Sequence, residues 1–152
     1  MAVAHEKLRN LILFIGTHAK VAQLGLTKLN KLIYYSDVIA LRELGHSTTG
    51  SDYIKYDHGL VPSRGEKFIK ELKKEGAIES RIVDLGKSAK MNRIKSLRSA
   101  ETKHFSQPEL EIMDRVCSVY GPWKAKALSD LSHREPALAA AGKLDKPYSG
   151  LI

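Results

Sequence analysis

The chain has 152 residues and carries 25 Lys+Arg against 17 Asp+Glu, a net charge of +8. Hydrophobic residues make up 43% and charged residues 28%, the balance of an ordinary soluble domain, which excludes a wholly disordered, collagen-like or low-complexity chain. The length suffices for one domain that buries its own core without a metal, and the single cysteine, Cys117, excludes an intramolecular disulfide and fits a reducing compartment.

In chain order, Leu8, Leu11, Ile12 and Ile15 recur at helical spacing and predict a helix over about Val3–His18. The longest apolar run, Leu11–Ile15, falls far short of the ~20 residues of a membrane helix and of the ~7–15 of a signal-peptide core. A cytoplasmic protein without a membrane partner is therefore expected. A second helix is predicted over Thr27–Leu44, with Thr27 as N-cap, a stripe of Leu29, Leu32, Ile33, Ser36, Ile39 and Ala40, and Gly45 just past its end. Gly45–Val61 reads as turns with one or two short strands.

Ser63 and Glu66 form an S-x-x-E capping box after Pro62, opening a helix through Phe68, Ile69 and Leu72 that Gly76 stops. Ala77–Asp84 and Met91–Leu97, separated by a segment with Gly86, predict a hairpin with a basic tip. A second capping box, Ser106 with Glu109, opens a helix whose Leu110, Met113, Cys117 and Tyr120 share a face, closed by Gly121–Pro122. Trp123–Leu131 predicts a further helix with Ala127, Leu128 and Leu131 inward; Glu135–Pro136 breaks the pattern before an alanine-rich turn, Ala137–Ala141. The expected fold is mainly α (α+β), a compact bundle of about five or six helices with a small β-hairpin or short-strand element. It forms one domain over 1–142, with 143–152 as a C-terminal tail.

The chain lacks H-x₃-H and C-x-x-C spacings, a G-x-S-x-G elbow, a P-loop and a G-x-G-x-x-G turn. Adjacent Asp57 and His58 have acid/base chemistry, but in a tight turn such residues serve the backbone more often. Cys117 on an apolar helical face reads as core. Neither catalysis, a metal nor a cofactor is expected.

Basic residues concentrate in the hairpin, where Arg81, Lys87, Lys90, Arg93, Lys95 and Arg98 face only Asp84, a net +5. A capped helix with Lys67, Lys70, Lys73 and Lys74 followed by a basic hairpin is how a winged-helix nucleic-acid binder reads. The same helix also carries Glu66, Glu71 and Glu75 at spacings that suit a solvated face. Tyr34, Tyr35, Tyr53 and Tyr56 have two readings: core tyrosines with hydroxyls at the edge, or anchors of a protein-binding surface.

The order of local patterns adds to this. LNKLIYYSDVIALRELG at Leu29–Gly45, TTGSDYIKYDHGLVP at Thr48–Pro62 and LSDLSHREPA at Leu128–Ala137 together resemble the Panacea, or SocA-like, antitoxin domain of bacteria and their phages. The likeness departs from the family pattern at Leu60, often proline, and at Ala137–Leu138, where a tryptophan often follows the Ser-His motif. It implies an antitoxin that binds a cognate protein toxin encoded beside it. Tyr35, Tyr53, Tyr56 and Arg64 are the candidate anchors, with Asp37, His58 and His133 as polar positions inside the family-like motifs; His133, after Ser132 at a helix junction, also suits a structural hydrogen bond. The alternatives are a winged-helix-like nucleic-acid-binding regulator acting through the basic hairpin, and an adaptor delivering a partner to a protease. At most weak, non-specific nucleic-acid binding is expected, tight and sequence-selective binding being the mark of the winged-helix alternative, and the oligomeric state is left open.

Overall fold

The computed structural model describes residues 2–56, 59–86 and 89–132. They form α1 (Ala2–Thr17), α2 (Leu26–Leu44), β1 (Tyr53–Tyr56), β2 (Gly59–Pro62), α3 (Gly65–Lys74), β3 (Ile78–Gly86), β4 (Ala89–Ser96), α4 (Gln107–Tyr120) and α5 (Ala125–Ser132). The expected mainly helical fold is present. Its β component is two separate antiparallel hairpins, β1–β2 and β3–β4, the first from the strands expected within Gly45–Val61 and the second the expected basic hairpin. The expected break at Glu135–Pro136, the turn Ala137–Ala141 and the tail 143–152 lie outside the described residues.

Helix α2 is the axle. α1, α4, α5, β2 and β4 all pack on it, and Leu29, Leu32, Ile33, Tyr34, Tyr35, Val38 and Ala40 are buried around its circumference. A helix covered on every side has to carry apolar residues all round, because each buried aliphatic or aromatic side chain contributes about 1.5–3 kcal/mol by leaving water. The polar exceptions on it, Lys28, Lys31, Ser36 and Asp37, therefore mark places where a specific partner is required.

Helix ends follow the sequence in part. Gly45 takes φ +82 and its N–H donates to Leu41 O, closing α2 in the left-handed conformation that glycine adopts without strain. Ser106 and Glu109 form the reciprocal capping box of α4, and Glu109 also receives Lys7 Nζ at 2.8 Å, which ties α1 to the start of α4. Thr27 is not an N-cap: α2 starts one residue earlier, and extended Gly25 precedes it without a side-chain cap. The Ser63–Glu66 box does not form either. Ser63 N–H is committed to Asp52 O at 2.8 Å in the loop, so Arg64 becomes the N-cap residue and α3 opens at Gly65 without a side-chain cap. Helix α5 begins at Ala125, because Trp123 N–H closes a turn onto Tyr120 O instead. Consequently only Leu128 of the expected inward set is buried; Leu131 is half-buried and Ala127 is exposed.

Two glycines are fixed by close approach. A Cβ on Gly16 would overlap Ser96 Oγ, where α1 crosses β4 and Ser96 Oγ donates to Leu13 O at 3.1 Å. Gly121 ends α4 in ordinary helical dihedrals, φ −55 and ψ −37, and a Cβ there would overlap Cys117 O and press on Lys20 O. Its O accepts from Ala22 N at 3.1 Å, so contact with the segment before α2 sets this glycine, not a turn conformation. Among the described residues no helix is long and apolar enough to cross a membrane.

Candidate partner-binding site

Asp37 is completely buried on α2. Its Oδ1 accepts from Thr49 N at 2.7 Å, and its Oδ2 accepts from Thr49 Oγ1 at 2.7 Å and from Tyr53 OH at 2.5 Å. One residue away, Thr48 Oγ1 donates to Ser36 O at 2.9 Å. A carboxylate that is short of water must be met by donors, and here those donors come from the segment that links α2 to β1. The network thereby fixes the path of the chain into the first hairpin. Burial pushes the Asp37 carboxyl up to about 6 in spite of these bonds. It also raises the Tyr53 phenol well above its ordinary range, with the Asp37 charge adding to the effect.

From this centre a series of aromatic rings runs to the surface. Tyr53 meets Tyr34 edge-on at 5.9 Å, Tyr34 meets Tyr35 at 5.5 Å, Tyr35 stacks on Tyr120 at 4.9 Å, and Tyr120 meets Trp123 edge-on at 5.3 Å. Tyr35 OH also donates to Leu128 O at 3.4 Å, holding α5. Offset and edge-on geometries are the favourable ones for aromatic quadrupoles. The series ends at Trp123, which is 38% exposed in the turn between α4 and α5. Sequence reasoning used Gly121–Pro122–Trp123 only as a helix boundary. The lone tryptophan beside a helix-stopping pair was the signal available for this position.

The sequence-derived positions separate into two groups. Tyr35, Asp37 and Tyr53 are brought together, and all three are buried. Arg64 is exposed and makes no ion pair among the described residues; it lines a hollow of about 460 Å³ with His5, Asp52, Ser63 and Phe68. Tyr56 pairs through its backbone with Gly59. His58, with Asp57, lies outside the described residues, as does His133. Cys117 is buried in α4 and its thiol is pushed up to about 12 by burial, the state of an unreactive core group. Among the described residues no three His, Cys, Asp or Glu side chains gather as metal ligands would.

In the second hairpin Arg81 stands directly opposite Arg93, and Glu79 opposite Lys95. Arg81, Lys90, Arg93 and Lys95 are exposed. Arg98 is drawn toward Glu75 at 3.5 Å, and Lys87 lies outside the described residues. On α3, Lys70 pairs with Glu66 at 3.3 Å across one helical turn, as a solvated face would.

A family model described as "Antitoxin SocA-like, Panacea domain" matches residues 29–137, more than half of the chain. Comparison with curated proteins and with solved structures finds no match.

Proposed function

We propose, from the premise that this chain belongs to the SocA-like Panacea antitoxin domain family, that it acts in the cytoplasm as the antitoxin of a toxin–antitoxin pair, neutralising a cognate protein toxin by direct binding. The observation that carries this reading is the family match over residues 29–137, which takes in most of α2, both hairpins and α4. Silencing a toxin calls for affinity near nanomolar, about −12 kcal/mol, drawn from a few anchors within ~800 Å² per partner. Exposed Arg64 beside its hollow suits such an anchor, with Tyr56, His58 and His133 of the family-like motifs as further contact positions. Tyr35, Asp37 and Tyr53 serve the site from beneath, because buried side chains hold a surface in shape without touching what lands on it.

The test is co-expression with the toxic open reading frame adjacent to this gene. Growth rescue together with a copurifying complex is expected, with Arg64→Ala weakening the complex by at least about thirtyfold if Arg64 is a true anchor. No rescue by the wild-type chain would defeat the antitoxin reading, and full rescue by a folded Arg64→Ala variant would remove Arg64 from the contact.

A second reading, nucleic-acid binding by the β3–β4 hairpin, is favoured by one observation. Arg81 and Arg93 face each other across the hairpin, a like-charge pair that is unfavourable by itself and that a phosphate would relieve.

A further inference from the structure

A hollow of about 860 Å³ lies between the start of α2, the outer end of the β3–β4 hairpin and the α4–α5 turn. Its lining includes three exposed large apolar side chains: Leu26 at 50%, Leu85 at 48% and Trp123 at 38%. Leu26 and Thr27 also line a neighbouring hollow that continues to Ser63, and Ser63 lines the hollow of Arg64. The three hollows thus adjoin one another through shared lining residues, from Trp123 to the candidate anchor.

The electrostatics of the groove lean positive, with Lys28 and Lys124 against Asp84 in its lining. Lys28 in its wall is only 2% exposed, and its ammonium donates to Ala22 O, a single acceptor for three N–H groups. Among the described residues no carboxylate pairs with it, and burial lowers its pKa unopposed. The first turn of α2, Leu26 to Lys28, opens into the same groove with no acidic residue and no side-chain cap, so its N–H groups and positive dipole end add to the Lys28 charge. Lys124 stands on the rim; the one carboxylate in the lining, Asp84, is engaged by Gly86 N–H at 2.8 Å. Gln23, also in the lining, has φ +48, a left-handed conformation that costs free energy in a non-glycine residue.

We propose that this groove is a docking site for an acidic, apolar segment of the toxin protein, which sets an apolar side chain against Trp123, Leu26 and Leu85 and a carboxylate against Lys28 and the α2 N-terminus. The proposal rests on the direct-binding reading above and assigns a place to it. A buried ammonium that no carboxylate of the described residues meets, in one groove with an exposed tryptophan, asks for this combination: the ligand's carboxylate supplies an acceptor, and its apolar side chain removes the surface that Trp123 leaves in water. The ring series explains how the place is held, since Trp123 rests on Tyr120, and Tyr120 on Tyr35.

Trp123 is the one tryptophan of the chain, so 5-fluorotryptophan labelling gives a single ¹⁹F signal at the groove mouth. In the purified complex with the adjacent-gene toxin that signal is expected to shift and to lose access to solvent quenchers. Lys28→Met, which keeps the side chain's bulk, is expected to weaken the complex at least about tenfold, Lys28→Arg to recover part of the loss, and Lys126→Ala, an exposed residue outside the groove, to change nothing. A complex in which the ¹⁹F signal stays put, or which Lys28→Met leaves at wild-type affinity, overturns the proposal while the antitoxin reading stands. If the wild-type chain never rescues growth, the antitoxin reading fails and the groove is judged with 3-phenylpropionate: a ¹⁹F shift stronger than that given by 3-phenylpropanol, equalised by Lys28→Met, supports an acidic apolar ligand, and no shift overturns it. A signal that moves with the chain's own concentration gives the groove to a second copy. A nuclear Overhauser contact from Trp123 to Leu151 or Ile152 in the free chain gives it to the C-terminal residues. Either result also overturns the proposal.

Discussion

The phenol of Tyr53 donates to Oδ2 of Asp37 at 2.5 Å, and neither side chain reaches solvent. Both residues belong to sequence patterns that resemble the family, yet their geometry joins α2 to β1 from inside. The chemistry they share is that of a buried carboxylate held by three donors.

That carboxylate sets a pH dependence. Its folded pKa of about 6 lies above the ~3.9 of an unfolded Asp, so between roughly pH 4 and 6 the folded state binds more protons. Stability from this group is full below the unfolded value and is lost as pH rises through the folded one, by about 3 kcal/mol. Asp37→Asn cannot ionise, so its stability relative to wild type should rise by about 2–3 kcal/mol from pH 4 to 7 in urea unfolding. Parallel curves for the two proteins would show that Asp37 titrates normally.

Glu109 works in the opposite sense. It is 2% exposed, caps α4 through Ser106 N at 2.8 Å and receives Lys7 Nζ at 2.8 Å, and these bonds and the Lys7 charge outweigh burial and hold its carboxyl below the ordinary range. Its contribution is present above the unfolded Glu pKa and disappears as pH falls through the depressed folded value. Glu109→Gln should cost about 3 kcal/mol at pH 7, since it leaves Lys7 without its counter-ion, whereas Ser106→Ala should cost only ~1 kcal/mol. Equal losses in thermal or urea melts would assign the effect to capping alone.

How much of this was legible follows physical lines. Features that a few neighbouring residues determine, such as the Ser106–Glu109 box, the Gly45 stop and the β3–β4 hairpin, appear where the sequence places them. The failures have a tertiary cause. The Ser63–Glu66 box loses because Ser63 is needed by Asp52, eleven residues earlier. At the candidate site, the tyrosine-rich motif did not reveal which of its side chains face inward. That depends on Asp37 capturing Tyr53 and Thr49 from a segment 12 to 16 residues away, which no local periodicity records.

Close approach at the α1–β4 crossing gives a coupled pair. Gly16→Ala should destabilise the protein by about 1–3 kcal/mol through overlap with Ser96. Ser96→Ala removes the hydroxyl that is struck, so the double variant should be more stable than the sum of the two single losses predicts. Strict additivity in a double-mutant cycle would mean that the helix shifts away at no cost and that the crossing is loose.

In the basic hairpin, stability and nucleic-acid affinity should move in opposite directions. Arg93→Glu replaces a like-charge pair with an attractive one opposite Arg81, worth a gain of about 0.2–1 kcal/mol. If the six basic side chains all contacted phosphates, the slope of log affinity against log salt would be roughly −5; weak, non-specific binding with a shallower slope is expected, and Arg93→Glu should weaken it further. Tight, sequence-selective binding of a fluorescent duplex near physiological salt, lost in this variant, would make the hairpin a regulatory surface.

The ring series separates a contact role from a positioning role at Tyr35. Tyr35→Phe keeps the stack on Tyr120, 4.9 Å between centroids, and gives up the hydroxyl with its 3.4 Å bond to Leu128 O, so it should cost about 1.5 kcal/mol and leave toxin affinity unchanged. Tyr35→Ala removes the support under Tyr120 and Trp123 and opens a cavity in the core, a loss of about 3–5 kcal/mol by analogy with other aromatic truncations. In that variant Trp123 fluorescence should shift to the red as the α4–α5 turn loosens, and toxin affinity should fall even at temperatures where circular dichroism reports a folded chain. The expectation runs from the interior outward: affinity follows the state of the Trp123 environment across the Tyr35 and Tyr120 variants. A Tyr35→Phe protein of unchanged stability and unchanged Trp123 emission that no longer binds toxin would give the Tyr35 hydroxyl itself to the interface, and the partner would then have to reach it through a rearranged α5.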